Sequence, residues 1–332
     1  MTQLRAAVIG VGHLGRFHAQ KYATLDNADL RFVVDTNPER GELVARQAGC
    51  RYCASHKALI GQVDIASVVV PTSHHYPVAR DLLEAGIHLL IEKPFAATTA
   101  EARELIRVAQ ANGCVLQVGH LERFNPVMQG LINRIGTPIF IESHRIAPFK
   151  PRSMDVDVVL DLMIHDIDLI LDLVKSPIER IDASGSPVLS PYTDIANVRF
   201  QFANGCVANL TASRISLKQE RHMRLFQSDA YFSADLSNLT LEVRRKSERE
   251  MFPGIPGIDS ETVRLEKTDA LESEIRAFIN SVGNGLPPVV SGEDGLRALE
   301  VATAVVRQVR NGTHHQAGSE DQALPPHLRR MP

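Results

Sequence analysis

Three side chains that could take part in proton transfer lie in two short stretches of the sequence. Lys93 lies in "IHLLIEKP", and Asp161 and His165 lie four residues apart in "LDLMIHDIDLI". Oxidation of a secondary alcohol removes a hydride from carbon and a proton from oxygen, so the protein must place a base near the hydroxyl. Histidine has a suitable pKa, about 6.5. A nearby ammonium group would stabilise negative charge on the oxygen.

The polar residues of the second stretch follow a helical period. At about 100° per residue, a helix places Asp161, His165, Asp168 and Asp172 within roughly 40° of one another. A strand does not suit the stretch, because its polar residues do not alternate. The pattern predicts a helix with a narrow polar stripe. That stripe would face a thin strip of solvent, a subunit seam, or a cleft where chemistry happens.

We interpret His165 as the general base of such a reaction. Asp161, one turn earlier, would orient the imidazole or hold a neighbouring hydroxyl. Lys93 would stabilise the alkoxide, and its positive charge would favour the neutral imidazole that a base requires. Lys93 would itself be the base if its pKa were lowered, and the sequence leaves both assignments open.

A dinucleotide-binding pattern precedes these residues. Gly10, Gly12 and Gly15 are spaced as G-x-G-x-x-G after an apolar run, and Asp35 ends the next apolar run 20 residues further on. Such glycines permit a tight turn, close approach of a pyrophosphate and close helix–strand packing. An acid at that distance accepts hydrogen bonds from ribose hydroxyls and favours NAD over NADP, although the nearby Arg40 leaves that preference open.

Apolar runs alternate with helical patterns as far as residue 120. The runs "DIASVVVP", "IHLLIEKP" and "CVLQVGH" predict buried parallel strands, and "HHYPVARDLLEAG" and "TTAEARELIRVAQANG" predict helices that end at glycine. The alternation predicts a doubly wound sheet that binds ligands at the C-terminal ends of its strands. We expect the cofactor to be bound at these ends and at the glycine-rich turn by Gly10, Gly12, His13, Leu14, Gly15, Asp35, Thr36, Arg40, Pro71, Thr72, His75, Glu92, Lys93 and Gln117.

The second half of the chain shows short strands separated by turns. Asn204-Gly205 lies between two apolar runs and predicts a β-hairpin, and "RHMRLFQSDAYFSADL" predicts two further strands. The stretches "DALESEIRAFINSV" and "GEDGLRALEVATAVVRQV" predict closing helices, and "KSEREMFPGIPGIDSE" predicts a loop. We therefore expect a Rossmann domain over residues 1–120, an α/β domain over 121–315 and a flexible tail over 316–332.

Composition places limits on the class of protein. The 332 residues are 44% apolar and 23% charged, with a net charge of −3, which does not suggest a nucleic-acid or membrane-surface partner. The start, "MTQLRAAVIGVGHLG", does not resemble a signal peptide, so we expect a cytoplasmic protein. Cys50 and Cys53 form a C-x-x-C without a second pair, and we expect neither a disulfide framework nor a metal site.

Taken together, the motifs resemble the Gfo/Idh/MocA oxidoreductase family over about residues 4–310. They are the glycine pattern with its acid, "PTSHH", "LEAGIHLLIEKP" and D-x-x-x-H-x-x-D. The resemblance implies a Rossmann domain followed by an α/β domain with an open, mostly antiparallel sheet. It also implies that Lys93, Asp161 and His165 meet at the nicotinamide of NAD. The open face of the sheet would pack against a partner subunit in a homodimer or homotetramer. One departure is "DVDVVLD", where the family often has Gly-Gly.

The stretches "GHLERFNP", "RIAPFKPR" and "DLMIHDIDLIL" are similar to the branch that oxidises UDP-N-acetylglucosamine at carbon 3. The ketone product would then be the substrate of a PLP aminotransferase that makes 3-amino sugars, for example for lipid A. A diphosphate substrate requires cations, which the four basic residues Arg123, Arg145, Lys150 and Arg152 would supply. The expected substrate-binding residues are Lys93, His120, Arg123, Asn125, Arg145, Lys150, Asp161 and His165.

Three other interpretations remain. The same fold and cofactor could act on an N-acetylated UDP-uronic acid, an inositol or a simple sugar. A non-catalytic regulator that senses the cofactor could share the fold, but the presence of Lys93, Asp161 and His165 favours an enzyme. A metal-dependent enzyme could use His74, His75 and the acidic stripe, although the Rossmann pattern makes nicotinamide the simpler account.

Overall fold

In a computed structural model that describes residues 3–149, 156–253 and 255–316, the chain forms two β-sheets. The strands of the first sheet are all parallel: β1 (Leu4–Ile9), β2 (Ala28–Val34), β3 (Arg51–Cys53), β4 (Ile65–Val68), β5 (His88–Glu92) and β6 (Leu116–Gly119). Their order is β3-β2-β1-β4-β5-β6, so the connections reverse direction beside β1. This doubly wound topology confirms the fold predicted for the first part of the chain.

Helices cover both faces of the first sheet. The connecting helices are α1 (Gly15–Thr24), α2 (Pro38–Ala48), α3 (His75–Glu84) and α4 (Thr99–Ala111). Local sequence fixes where they begin: Asn37 caps α2 ahead of a proline, and Thr98 forms a capping box with Glu101 at α4. A further helix, α7 (Ala270–Asn284), returns from the far end of the chain and packs Leu271, Ile275 and Phe278 against this sheet.

The second sheet is larger and mostly antiparallel. Its strands are β7 (Phe140–Ile146), β8 (Ile178–Ser186), β9 (Ile195–Phe202), β10 (Val207–Ser213), β11 (Glu220–Phe226), β12 (Ala230–Asp235), β13 (Thr240–Phe252) and β14 (Ile255–Arg264). They lie in the order β14-β13-β12-β11-β7-β10-β9-β8, and the β7–β10 pair is parallel while the others are antiparallel. The predicted open, mostly antiparallel sheet is therefore confirmed.

Helices α5 (Pro126–Ile132), α6 (Ile164–Val174) and α8 (Gly292–Gln316) accompany the second sheet, and its core lies on the side of α6 and α8. Side chains alternate along β9 between this core and the opposite, open face. On the open face, the ring of Phe226 lies 5.8 Å from that of Phe140 and 4.9 Å from that of Tyr231, centroid to centroid. The predicted hairpin at Asn204-Gly205 joins β9 to β10, with Gly205 at φ +85°.

One sequence-based prediction about this sheet is wrong. The stretch "KSEREMFPGIPGIDSE" forms most of the hairpin of β13 and β14 rather than a loop. Its Pro and Gly content suggested a loop, but Pro253 lies at the turn between the two strands. Both strands expose charged residues, so the apolar alternation that marks a half-buried strand is weak here.

The helix predicted around His165 is present, but it begins with a wider turn. Residues Val159–Met163 form a π-helical turn, and α6 follows directly from Ile164. A π turn holds more residues than an α turn, so Asp161 is displaced from the simple stripe. Asp168, further along the predicted stripe, is buried rather than exposed to solvent. Within the described residues, no helix combines the length and apolarity needed to cross a membrane.

Candidate active site

The glycine-rich turn between β1 and α1 leaves space for a nucleotide. A Cβ atom at Gly15 would lie 1.8 Å from the carbonyl oxygen of Gly10, so only glycine allows this close helix–strand packing. Gly10 adopts φ +83°, in the left-handed region that favours glycine. A Cβ atom at Gly12 would meet nothing within 4 Å, so the space beside its backbone is open. This open space beside the N-terminus of α1 fits a pyrophosphate.

A cavity of about 730 Å³ extends from this turn across the C-terminal ends of β1, β2 and β4. Six of the predicted cofactor-binding residues line it: Gly10, Gly12, Asp35, Thr36, Arg40 and Pro71. Ser55, His56 and His74 also line it, although the sequence did not mark them as cofactor residues. The cavity occupies the place where a doubly wound sheet binds its ligand.

Asp35 lies at the centre of a hydrogen-bond network in this cavity. Its carboxylate accepts hydrogen bonds from the N–H groups of Val11 (3.0 Å) and Asn37 (2.8 Å). Arg40 donates to both carboxylate oxygens, at 2.9 and 2.6 Å. Burial opposes ionisation, but Arg40 and the backbone donors outweigh it and lower the pKa of Asp35. The acid is ionised at neutral pH, as an acceptor for ribose hydroxyls must be.

Lys93 reaches from the end of β5 to the π-helical turn. Its Nζ donates to the backbone carbonyl of Asp161 at 2.7 Å and lies 3.6 Å from the Asp161 carboxylate. The peptide bond between Lys93 and Pro94 is cis. Burial lowers the pKa of Lys93 despite the opposing charges of Asp161 and Glu92. The fold thus brings two of the three predicted reactive residues into direct contact.

His165 lies close to the same charges, and among the described residues its side chain makes no hydrogen bond to Asp161. Its Nδ1 is buried without a hydrogen-bond partner, so the predicted orienting bond from Asp161 is not made at that nitrogen. Burial lowers the pKa of His165 well below its usual value, and the charges of Lys93 and Arg145 act in the same direction. The imidazole is therefore neutral at physiological pH, which is the form that can accept a proton.

A second cavity, of about 510 Å³, lies between the glycine-rich turn and the second sheet. Residues from the glycine-rich turn, the π-helical turn, the second sheet and its loops line it: His13, Leu14, Arg145, Ile146, Ala147, Pro148, Asp161, Leu162, Arg214, Gln219 and Arg221. It joins two predicted cofactor-binding residues, His13 and Leu14, to the Asp161 contact of Lys93. A substrate in this cavity would therefore lie next to Asp161, the residue that Lys93 contacts.

Two arginines predicted to bind phosphate are paired with buried acids. Arg123 donates to both carboxylate oxygens of Asp168 at 2.7 Å and lies 2.9 Å from Asp172, with a side chain only 7% exposed. Its charge is compensated inside the protein, so the prediction that Arg123 binds a diphosphate does not fit this geometry. Asp168 and Asp172 anchor this arginine, which explains the lower part of the acidic stripe.

Arg145 is also compensated, although it borders the second cavity. It donates to Asp166 at 2.9 and 2.8 Å and to Glu122 at 2.8 Å. Arg221 shares Glu122, donating at 3.1 Å, and its side chain is 43% exposed. Arg221 is thus the more accessible cation of this group, and it lies on β11, where no sequence motif marked it.

Two further predicted substrate residues, His120 and Asn125, do not line the second cavity. His120 is buried, and neither ring nitrogen has a hydrogen-bond partner. Asn125 caps α5, accepting from the N–H of Val127 and donating to Glu122 and Leu236. These two predictions therefore do not fit the geometry. Lys150 and Arg152 lie outside the described residues.

Three predicted cofactor residues have partners within the protein. Gln117 is fully buried and donates to the backbone carbonyl of Glu274, so it does not fit a cofactor contact. Glu92 lines neither cavity, and its Oε1 lies 3.1 Å from Nε2 of His18. Both ring nitrogens of His75 lie 2.9 Å from backbone carbonyls, those of Pro94 and Val70, and the neutral ring donates to one of the two. Thr72 begins a 3₁₀ turn beside it.

Comparison with known proteins agrees with this architecture. Residues 4–120 match "Oxidoreductase family, NAD-binding Rossmann fold", and residues 133–233 match the GFO/IDH/MocA C-terminal domain. A UDP-N-acetylglucosamine 3-dehydrogenase from Acidithiobacillus ferrooxidans is 44% identical over 306 residues, covering 92% of this chain and 97% of that protein. The solved structure of UDP-N-acetylglucosamine 3-dehydrogenase GnnA from that organism superposes with a TM-score of 0.89 at 44% identity, covering 94% of this chain and 99% of that chain.

A more distant relative acts on a different class of substrate. A scyllo-inositol 2-dehydrogenase (NAD(+)) from Bacillus subtilis is 27% identical over 333 residues, covering 93% of this chain and 95% of that protein. The chain belongs to the Gfo/Idh/MocA family of oxidoreductases, as the resemblance of its motifs predicted. Its first sheet is an NAD-binding Rossmann domain, and the open space at Gly12 with the ionised Asp35 fits that cofactor.

The sequence-based prediction of the site did not include two buried residues, His18 and Glu274, although the sequence pattern indicates their burial. His18 shares a helix face with Gly15, Ala19 and Tyr22, all of which are buried. Glu274 likewise lies on the buried face of α7, together with Leu271, Ile275 and Phe278. A titratable side chain on the apolar face of a helix is the sign of a buried polar group.

Proposed function

We propose that this chain oxidises the C3 hydroxyl of UDP-N-acetylglucosamine with NAD and forms the 3-keto sugar nucleotide. The observation that carries the proposal is the contact of Lys93 with the carbonyl of Asp161 at 2.7 Å, because Asp161 also lines the second cavity together with His13 and Leu14 of the glycine-rich turn. The choice of substrate rests on the 44% identity to a UDP-N-acetylglucosamine 3-dehydrogenase.

The reaction needs a proton acceptor and a group that stabilises the alkoxide. When bound, NAD supplies the hydride acceptor. We assign the proton to His165, which is neutral because burial and the charge of Lys93 lower its pKa. Lys93 is held by the Asp161 carbonyl and presents its ammonium to the developing oxyanion. Asp161 therefore orients Lys93 rather than the imidazole.

We assign the recognition of the UDP part of the substrate to the second cavity. A diphosphate favours guanidinium groups, since their planar donors match phosphate oxygens. Arg221 is the lining arginine whose exposure supports such a contact, because its side chain is 43% exposed and it shares a single acid with Arg145. We therefore transfer the predicted phosphate contact from Arg123 to Arg221.

Product analysis tests this proposal. Purified protein is incubated with NAD and UDP-N-acetylglucosamine, reduction is followed at 340 nm, and the product is identified by NMR. We expect a ketone at carbon 3. Parallel incubations with the N-acetylated UDP-uronic acid, inositols and simple sugars separate the alternatives. Reduction of NAD by inositol alone would contradict the proposed substrate while leaving the dehydrogenase class intact.

The proposal extends to the setting of the enzyme. We propose a cytoplasmic homodimer or homotetramer joined through the open face of the second sheet, where Phe140, Phe226 and Tyr231 cluster. We further propose that the ketone passes to a PLP aminotransferase in the synthesis of 3-amino sugars such as those of lipid A. Light scattering of the purified protein tests the assembly, and conversion of the ketone by such an aminotransferase tests the link.

We also propose a division into two domains near residue 120. Helix α7 crosses this division, because it follows the second sheet in the chain but packs on the first sheet.

A further inference from the structure

A group of buried polar side chains lies near Lys93, and none of its members lines either cavity. We call it the buried cluster, and it consists of His18 on α1, Glu92 at the end of β5, Gln117 on β6 and Glu274 on α7. All four residues are at most 8% exposed. Charged groups are costly to bury without partners, so a cluster of this kind beside a reactive lysine requires an explanation.

Within the buried cluster, Glu92 connects α1 to the main chain of Lys93. One carboxylate oxygen, Oε1, lies 3.1 Å from Nε2 of His18. The other, Oε2, accepts a hydrogen bond of 3.3 Å from the N–H group of Lys93. Lys93 is therefore held at two points: its backbone N–H donates to Glu92, and its ammonium donates to the Asp161 carbonyl.

Glu274 lies beside Glu92 but has a different environment. Among the described residues, neither of its carboxyl oxygens has a hydrogen-bond partner, whereas Glu92 has two. Burial raises the pKa of Glu274 well above its usual value, and the negative charge of Glu92 adds to this effect. Burial without a hydrogen-bond donor thus favours the neutral form of Glu274, whereas Glu92 has two partners that can donate to a carboxylate, His18 and the Lys93 N–H.

We propose that Glu92 is a positioning residue for Lys93: fixed by His18, its carboxylate holds the Lys93 backbone and supplies the buried negative charge that keeps the ammonium protonated. The inference rests on the proposed function, because it assigns to Lys93 the role of an ammonium that stabilises the alkoxide. It replaces the sequence-based prediction that Glu92 contacts the cofactor.

The charge of Glu92 acts on Lys93 together with other charges, of which that of Asp161 is the larger. Asp161 raises the pKa of Lys93, as Glu92 does, while Arg145 lowers it. His165 and His120 also face the ammonium, and burial lowers the pKa of both, so neither adds a positive charge at neutral pH. Loss of the Glu92 charge leaves Asp161 as the single acid opposing Arg145 and burial.

The groups that face Glu92 itself do not replace its charge. His18 is its hydrogen-bond partner, and Glu274 is neutral. His75, which also feels the charge of Glu92, is buried, and burial lowers its pKa. The negative charge of the buried cluster therefore depends on Glu92.

Competitive labelling of amines by acetic anhydride, read by mass spectrometry, measures the protonation of Lys93 without substrate or cofactor. Lys93 is accessible to a small reagent, since its side chain is 19% exposed. We compare the wild type with Glu92→Gln and with Glu274→Gln, a substitution at the neighbouring buried carboxyl that we assign as already neutral. The surface control is Glu84→Gln, which removes an exposed acid paired with Arg80.

The proposal predicts that, of the three variants with Gln, only Glu92→Gln changes the labelling rate of the Lys93 amine. At a pH below the Lys93 pKa, its labelling rate should rise by at least about threefold relative to exposed lysines, which corresponds to about half a pKa unit. Glu274→Gln and Glu84→Gln should match the wild type. A Lys93 rate in Glu92→Gln equal to that in Glu84→Gln would overturn the proposal, and an equal rise in Glu274→Gln would overturn the placement of the charge.

The conservative variant Glu92→Asp separates charge from position and keeps the test decisive if Glu92→Gln fails to fold. It retains the charge but shortens the side chain, so Lys93 labelling should stay near the wild-type rate. Its kcat should fall by more than about tenfold while KM for NAD stays within about twofold, since an interaction used only in the transition state is lost. Wild-type kcat in Glu92→Asp would contradict the positioning role. If the wild type does not oxidise UDP-N-acetylglucosamine, the proposed function fails, while labelling still decides the charge of Lys93.

Discussion

Replacing Arg145 by Met separates a structural ion pair from a substrate contact. Arg145 is 3% exposed and donates three hydrogen bonds of 2.8 to 2.9 Å to Asp166 and Glu122. The substitution leaves Asp166, itself 2% exposed, without its cation, while Glu122 keeps Arg221. Breaking a buried pair by removing one partner costs about 3–5 kcal/mol of folding free energy.

Thermal and urea unfolding measure this cost. A loss of that size lowers Tm by about 6–20 °C, at about 2–4 °C per kcal/mol for a domain of this size class. Arg221→Met is the matched control, because it removes a 43% exposed arginine bonded to the same Glu122. We expect that exposed pair to contribute about 0–1 kcal/mol. The double variant Arg145→Met/Asp166→Asn should be more stable than Arg145→Met, since it removes the unpaired buried charge.

One outcome would refute this reasoning about Arg145. If Arg145→Met lost less than about 1 kcal/mol and instead raised KM for the nucleotide sugar by more than about tenfold, Arg145 would be a substrate ligand, as the sequence first suggested. The opposite pattern is expected for Arg221→Met, with stability retained and KM increased. The two arginines thus test the transfer of the phosphate contact in a single experiment.

Four further results are expected. His165→Ala should lower kcat by at least about 10²-fold, the usual scale for a general base, with NAD affinity retained in a fluorescence titration; wild-type turnover would exclude His165. The pH profile of kcat should rise with a midpoint below pH 6.5, because the pKa of His165 is lowered; a rise with its midpoint on the alkaline side would assign the base to Lys93. Asp35→Asn should weaken NAD binding by about 10–100-fold, since a hydrogen bond to a charged group contributes about 1.5–3 kcal/mol; unchanged NAD titration would contradict the ribose contact. Burial opposes ionisation of Asp194, but donors including the Val188 N–H and Arg214 lower its pKa. The stability that ionised Asp194 contributes is therefore complete above the unfolded pKa of about 3.8 and is lost as pH falls through the folded pKa. Asp194→Asn should reduce the acid dependence of urea unfolding, and an unchanged dependence would contradict this linkage.

The sequence predicted the elements well where one periodic pattern dominated. The glycine spacing, the acid at Asp35 and the buried strands led to the Rossmann sheet, because each pattern reflects a local backbone requirement. The hairpin of β13 and β14 was missed because its strands expose charged residues and lack apolar alternation. The π-helical turn at Val159–Met163 was also missed, since residue spacing alone gives no sign of a wider turn.

The site was less predictable than the fold because its contacts are long-range. Lys93 and Asp161 are 68 positions apart in the chain, and only their motifs indicated that they meet. Arginine identity gave no information about partners, so Arg123 appeared available for a phosphate although Asp168 neutralises it. Arg221 reaches the cavity through the register of β11 with β7, which the sequence does not encode locally.

The return of α7 to the first sheet has a consequence for how the chain is made. Leu271, Ile275 and Phe278 complete the apolar core around β1, β4 and β5. However, α7 begins at Ala270, which is 151 positions after Gly119, the last residue of β6. At about 5–20 residues per second, the ribosome needs roughly 8–30 s to synthesise that interval. During this time the nascent Rossmann sheet exposes the apolar surface that α7 will cover, which makes it a binding site for chaperones and a place where aggregation can begin.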